Sequence, residues 1–210
     1  MPLNQAQAVF AAELAQKLAL TRKTLNAFAE VDRSLFIPAG LERLTYSCDA
    51  LPIGANQRLS SPLTVAKMTA ALDADDADGV LEIGCGSGYQ AAILSRVARR
   101  VFTVERIERL AIEAKARFRA LNYFNVNVRF DDGHNGWKTY APFDRILLSC
   151  ETRTIAPPLL EQLAAGGVLV APIDGQITRI VKRESGAIAK ETLGDCSFVP
   201  MLGGVEKDRR

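Results

Sequence analysis

The sequence contains one histidine, and no apolar run approaches the roughly 20 residues a bilayer-spanning helix requires. Its four cysteines, at 48, 85, 150 and 196, lie far apart and form no CxxC pair. These shortages argue against a zinc site, a membrane span and a disulfide framework. A charge excess is missing too. The net charge of +2 is too small to suggest a nucleic-acid partner. The basic residues alternate with acids, as in RVFTVERIERLAIEAKARFRA, which reads as a solvated helix face with pairs such as Glu113 and Arg117. The first stretch, MPLNQAQAVFAAELAQKL, lacks a basic n-region and carries Glu13 among its apolar residues, unlike a signal peptide. The expectation is a reduced, cytoplasmic, monomeric protein with no metal, membrane or nucleic-acid partner.

What the chain does have is the composition of an ordinary globular protein. Its 210 residues are 48% hydrophobic and 24% charged, enough for one domain with a full core. Residues 3–30 carry apolar positions at helical spacing, broken near LTRKT, and predict two helices. The next stretch, VDRSLFIPAGLERLTYSCDALPIGANQRLSSP, is irregular and long for a compact domain. Its apolar groups Leu35, Phe36, Ile37, Leu51 and Ile53 can anchor it to a core, so an ordered binding segment is expected. A helix should start at SPLTVAKMTAAL, with Ser61 as N-cap and Pro62 at the first helical position.

From residue 79 onward the pattern alternates. Short β-branched runs (VLEI, RVFTVE, VNVRF, DRILLS, GVLVAP) are separated by helical ones (YQAAILSRVA, IERLAIEAKARFRAL, PPLLEQLA). That predicts an α/β fold, a doubly wound, mostly parallel Rossmann-like sheet in a three-layer α/β/α arrangement. ITRIVKRESGAIAKETL reads as two extended segments around Ser185-Gly186, and CSFVPML as a last strand, giving an antiparallel C-terminal edge. The expected organisation is a single domain over 1–210. Residues 1–78 supply N-terminal helices and a substrate-facing segment, and 79–210 a cofactor-binding core.

In VLEIGCGSGY a strand runs into Gly84, Gly86 and Gly88, and a helix follows at once. Backbone N–H groups at such a helix start suit an anionic group. Glu105, 21 residues after Gly84 at the end of RVFTVE, can accept from ribose hydroxyls. Nicotinamide and S-adenosylmethionine (SAM) cofactors both fit these features. The dinucleotide fingerprint needs its third glycine at the sixth position; Tyr89 stands there, with glycine one place earlier. That spacing resembles the motif of class I SAM-dependent methyltransferases. FDDGHNGW, after VNVRF, agrees, since Asp132 can accept from an adenine amino group. His134 reads as a loop residue near the adenine rather than as a base.

A narrower resemblance follows from VDRSLFIP, LPIG, LSSP, VAKMTAAL, VLEIGCGSGYQAAIL, VFTVERI, APFDRIL, LLEQLAAGGVLVAPI and FVPML, in that order. From about residue 30 to 202 the chain resembles the protein-L-isoaspartate O-methyltransferase family. The resemblance implies methyl transfer from SAM, leaving S-adenosylhomocysteine, to the free α-carboxylate of L-isoaspartyl residues in damaged proteins. It also implies Ser60 beside the transferred methyl. Gly84, Cys85, Gly86, Ser87, Gly88, Glu105, Arg106, Asp132 and Gly133 would form the cofactor site. The family's Tyr-x-Asp reads Tyr46-Ser47-Cys48 here, with Asp49 one place late, and its Thr-Ile-Ser reads Arg58-Leu59-Ser60. Ser149-Cys150-Glu151 replaces small residues, and Ser197 a basic one. Arg58, Leu59 and Glu151 are therefore candidate substrate contacts. Arg58 and Glu151 either pair across the site, or Arg58 offers its cation to a substrate carboxylate, or both sit on a solvated rim. Two alternatives stay open: a paralogue with another acceptor, and a SAM-binding protein without catalysis.

Overall fold

The computed structural model describes residues 5–208; the first positions of the expected N-terminal helix lie outside them. Helices α1 (Gln5–Lys17) and α2 (Arg22–Glu30) meet at the predicted break. There Thr21 caps α2, its Oγ1 accepting from Thr24 N at 3.0 Å. Phe10, Ala11 and Leu14 of α1 and Ala27 and Phe28 of α2 are buried at helical spacing, which seats the pair on the core.

The irregular segment is ordered, as expected, by two 3₁₀ turns (Arg33–Phe36 and Glu42–Leu44) and by a hairpin that was not predicted. Strands β1 (Leu51–Gly54) and β2 (Gln57–Leu59) pair antiparallel through Ala55 and Asn56, both at positive φ. Phe36 and Leu51 are buried and Ile37 and Ile53 pack on the core. Leu35 does not anchor the segment: the turn aims it at solvent, 42% exposed. Helix α3 (Pro62–Leu72) starts as the sequence dictates, Ser61 Oγ accepting from Thr64 N at 3.1 Å.

Seven strands form the central sheet: β3 (Gly79–Ile83), β4 (Arg100–Glu105), β5 (Val126–Phe130), β6 (Phe143–Leu148), β7 (Leu163–Ile173), β8 (Gln176–Lys182) and β9 (Ile188–Asp195). Their order is β5-β4-β3-β6-β7-β8-β9, parallel through β7 and antiparallel at the β7–β8–β9 edge. Side chains leave each strand alternately to either face. Val80, Leu147, Val168 and Val170 join one cluster with α3, α4 (Tyr89–Val97) and Phe118 of α5 (Glu108–Ala120). Leu81, Ile146, Leu148 and Leu169 join the other with Leu159 of α6 (Pro157–Gln162) and with Trp137. Burial on both faces explains why these strands read as continuous apolar runs.

CSFVPML is extended but is not a strand of the sheet. Its backbone meets Gly175, through Cys196 N to Gly175 O (2.8 Å), and Glu151, through Glu151 N to Val199 O (2.8 Å) and Met201 N to Glu151 O (2.7 Å), and it runs across the ends of the parallel strands. The Glu113–Arg117 pair does not form either. Phe118, 2% exposed, fixes the rotation of α5 so that Arg117 reaches inward to Ser87 O at 2.8 Å, while Glu113 lies 3.8 Å from Arg109.

Candidate active site

Strand order reverses between β3 and β6, and an open α/β sheet leaves a crevice beyond the strand ends at such a point. Here the crevice is an open cleft. One wall is the loop after β3, another the segment Gln57–Ser60, and residues 198–202 close over it. Of the residues expected from sequence, Arg58, Leu59, Ser60, Gly84, Cys85, Gly86, Ser87, Glu105, Arg106 and Gly133 all line it.

The glycine loop is held in place by hydrogen bonds from its own surroundings. Glu105, 5% exposed, accepts from Gly86 N through Oε2 at 2.8 Å and from Ile107 N through Oε1 at 2.9 Å. Arg117 holds Ser87 O from below, and Gly88 N donates to Cys85 O at 2.8 Å. Burial pushes the Glu105 carboxyl above the usual carboxylate range, against the opposing pull of the Gly86 and Ile107 N–H groups. Each of its oxygens still has a lone pair free for a ribose hydroxyl.

Sequence reasoning missed Glu82, because an acid inside VLEI reads as an interruption of an apolar strand. It is fully buried beneath the cleft, accepting from Thr103 Oγ1 at 2.5 Å and from Ser149 Oγ at 3.1 Å. Desolvation pushes its pKa from an ordinary 4.5 up to about 8, with the nearby Glu105 adding to the rise. The folded state therefore holds this proton where the unfolded chain has lost it, and folding stability falls as pH rises between about 4.5 and about 8. Glu82→Gln removes the titration. The stability of wild type relative to E82Q should decline between pH 5 and pH 9, read as the difference in urea midpoints; a gap independent of pH would contradict this.

Three expected site residues do not line the cleft. Gly88 starts α4 just behind it. Asp132 is already committed, with Oδ1 accepting from His134 N (2.9 Å) and lying 2.8 Å from His134 Nδ1. Its Oδ2 accepts from Gly204 N at 2.6 Å. Burial works against ionisation of Asp132, but the N–H groups of Gly204 and His134 outweigh it and hold its pKa below the usual range. This acid anchors the C-terminal segment beside the cleft. Arg106 assists, donating from Nε to Gly204 O and pairing with Glu206 at 3.2 Å.

Glu151 is the third. Its Oε1 accepts from Gly175 N at 2.9 Å, in the turn between β7 and β8, while Arg58 donates to Ala50 O at the base of the hairpin. The Arg58–Glu151 ion pair does not form, because each group is satisfied by backbone on its own side. Arg58 remains exposed at the mouth of the cleft.

The cleft's thiols are poor nucleophiles. Burial raises Cys85 well above its ordinary pKa and pushes Cys150 up to about 12. His134, tied to Asp132, does not line the cleft, and among the described residues no three potential metal ligands cluster. What the arrangement offers is a shielded space with fixed acceptors for a polyhydroxylated cofactor, facing a wall that bears one hydroxyl and one cation.

Comparison with known proteins agrees with that geometry. The family model described as protein-L-isoaspartate(D-aspartate) O-methyltransferase matches residues 4–206. A protein-L-isoaspartate O-methyltransferase of Helicobacter pylori (strain P12) is 48% identical over 198 residues, covering 92% of this chain and 95% of the relative. A solved protein-L-isoaspartate O-methyltransferase superposes with a TM-score of 0.85 at 22% identity, over 95% of this chain and 67% of the other. A Plasmodium falciparum beta-aspartate methyltransferase (PCMT) in complex with S-adenosyl-L-homocysteine gives 0.78 at 19% identity, over 93% and 98%. At those identities the two structures speak for the fold, a class I methyltransferase fold, while the sequence matches speak for the family. Over nearly its whole length, this chain belongs to the protein-L-isoaspartate(D-aspartate) O-methyltransferase family.

Proposed function

We propose that the protein transfers a methyl group from SAM to the free α-carboxylate of L-isoaspartyl residues in damaged proteins. The observation that carries this reading is one cleft, in a chain matched by the family over residues 4–206, that sets the Glu105-braced glycine loop against Ser60. In this reading residues 79–210 form the cofactor-binding core of one domain and residues 1–78 its substrate-facing part. The protein acts in the cytoplasm as a monomer, without nucleic acid; its near-neutral charge and unpaired cysteines support that setting.

The residues present fit SAM. At Gly133 a Cβ would stand 2.4 Å from Ile83 Cγ2, so only glycine lets the backbone come this close to the cleft floor. Val104, Ile83 and Met201 give the cleft apolar surface suited to an adenine, and Glu105 supplies acceptors for a ribose. Gly84, Cys85, Gly86 and Ser87 would hold the methionine part. Gly88 and Asp132 support the site from outside, through the α4 start and the C-terminal segment. When bound, SAM supplies an electrophilic methyl group on a positively charged sulfur.

The remaining work of the chain is to align and to exclude water. A carboxylate with a reference pKa near ~4 is already ionised at neutral pH, so no side chain has to take a proton. Opposite charges neutralise as the reaction proceeds, which a shielded cleft favours over water. Ser60 Oγ is assigned to orient the acceptor carboxylate, and Arg58 at the mouth to attract it. Leu59, 5% exposed, anchors this wall.

The test is a pair of peptides, isoaspartyl and aspartyl, incubated with labelled SAM. Methyl should enter the isoaspartyl peptide only, and Ser60→Ala should lower kcat/KM on the order of 10- to 30-fold with unchanged S-adenosylhomocysteine affinity. No turnover above background, or equal turnover of both peptides, would reject the reading.

A further inference from the structure

We propose that Arg33 is a positioning residue for methyl transfer, a buried guanidinium that fixes the Ser60 wall of the cleft against the first residue of α4. The inference rests on the role assigned to Ser60 above and adds what sets the place of that residue.

Arg33 opens the first 3₁₀ turn, behind Asp32, whose Oδ1 accepts from Ser34 N at 2.9 Å. Its side chain is 1% exposed, and among the described residues no carboxylate forms an ion pair with it. A buried cation without a counter-ion is costly to folding unless its donors are well used. Here the guanidinium reaches three separate segments, two by hydrogen bonds and one by stacking. Nε donates to Thr45 O at 2.9 Å, and Nη2 donates to Ser60 O at 3.1 Å. The guanidinium carbon lies 4.7 Å from the ring centroid of Tyr89, the residue that follows the last loop glycine. The planar fork of arginine can make these contacts at once, which the point charge of lysine cannot.

The carbonyl of Ser60 has no use in α3, whose first backbone bond runs from Val65 N to Ser61 O. Arg33 satisfies it, so the orientation of the Ser60 peptide is fixed by a side chain 27 residues away. On either side the wall is held by buried Leu59 and by Pro62 at the helix start, and between them this tether sets where the Ser60 hydroxyl stands. Tyr89 also lines the cleft, so the same guanidinium links the acceptor wall to the cofactor loop.

The test compares Arg33→Met and Arg33→Lys with wild type, and with both on a Ser60→Ala background. It measures kcat and KM for an isoaspartyl peptide, S-adenosylhomocysteine affinity by calorimetry, and thermal unfolding. R33M should lower kcat on the order of 30-fold, since small misplacements at a reacting centre are expensive, while cofactor affinity stays within about two-fold. R33K should recover part of the loss. On the S60A background R33M should cost little more, because residues acting through one another do not add. A kcat within about two-fold of wild type overturns the inference, as does a parallel loss of cofactor binding or full additivity with S60A. If R33M does not fold, R33K alone decides: lower kcat with retained cofactor affinity supports the role, and unchanged kcat overturns it. An S60A enzyme with undiminished kcat overturns the reading of Ser60 itself, and this inference with it.

Discussion

Glu105→Ala should weaken S-adenosylhomocysteine binding by about 100-fold or more, the loss of some 3 kcal/mol. The carboxylate braces the loop and, in the proposed site, also faces the ribose. Its two oxygens accept from Gly86 N and Ile107 N, and with the side chain 5% exposed no water replaces them freely. Hydrogen bonds to a charged group contribute roughly 1.5–3 kcal/mol each, and a buried donor left alone costs a comparable amount. Alanine orphans two such donors and removes the acceptors for the ribose. Glu105→Gln keeps the shape but turns an amide N–H₂ toward one backbone N–H, so it should fall between wild type and alanine. Calorimetry with S-adenosylhomocysteine reads the effect directly. A dissociation constant for E105A within about threefold of wild type would show that the ribose acceptor lies elsewhere.

How much of this site was legible in the sequence depends on the range over which each part is specified. VLEIGCGSGY was legible because strand, glycines and helix start are neighbours in the chain, and so was Ser61-Pro62, whose capping chemistry is local. The alternation of apolar runs with helical ones was enough for the sheet, since buried parallel strands leave long, unambiguous signals. The β1–β2 hairpin escaped because its turn uses Ala55 and Asn56 at φ of 49° and 55°, where the recognisable signal is Asn-Gly.

Contacts between distant polar groups left no pattern at all. Arg117 sits four residues after Glu113, which looks like a surface pair, and nothing local says that Phe118 turns it inward to Ser87. Asp132 stands out in the sequence, but its partners lie at Gly204 and His134, and only the path of the C-terminal segment reveals the first. The apolar residues of FVPML were read as a strand for the same reason. Phe198, Val199 and Met201 are half-buried by lying over the cleft, not by pairing in the sheet, while Pro200 and Leu202 stay exposed. Glu82 was legible in principle: a carboxylate at the end of an apolar strand, just before a glycine loop, must be buried near the site.

The largest effect on folding is expected at Gly88, where Gly88→Ala should lower stability by about 3–5 kcal/mol. Gly88 sits at φ +90° as it turns the chain into α4, a conformation that any Cβ strains. The added methyl would also stand 2.7 Å from Phe118 Cζ and 3.2 Å from Cε2. Phe118 cannot simply move away, since it is 2% exposed and packed against Phe36 and Tyr123, with ring centroids 6.5 and 5.7 Å distant. Gly40→Ala is the matching control. Gly40 has nearly the same φ, +89°, but a Cβ there meets nothing within 4 Å. It should cost only the backbone term, about 1–2 kcal/mol, so the difference between the two variants isolates the Phe118 contact. At roughly 2–4 °C per kcal/mol for a chain of this size, G88A should melt about 10 °C below wild type and G40A a few degrees below. Equal shifts for the two would mean that the Phe36–Phe118–Tyr123 cluster yields without cost, and that backbone conformation alone requires glycine at this helix start.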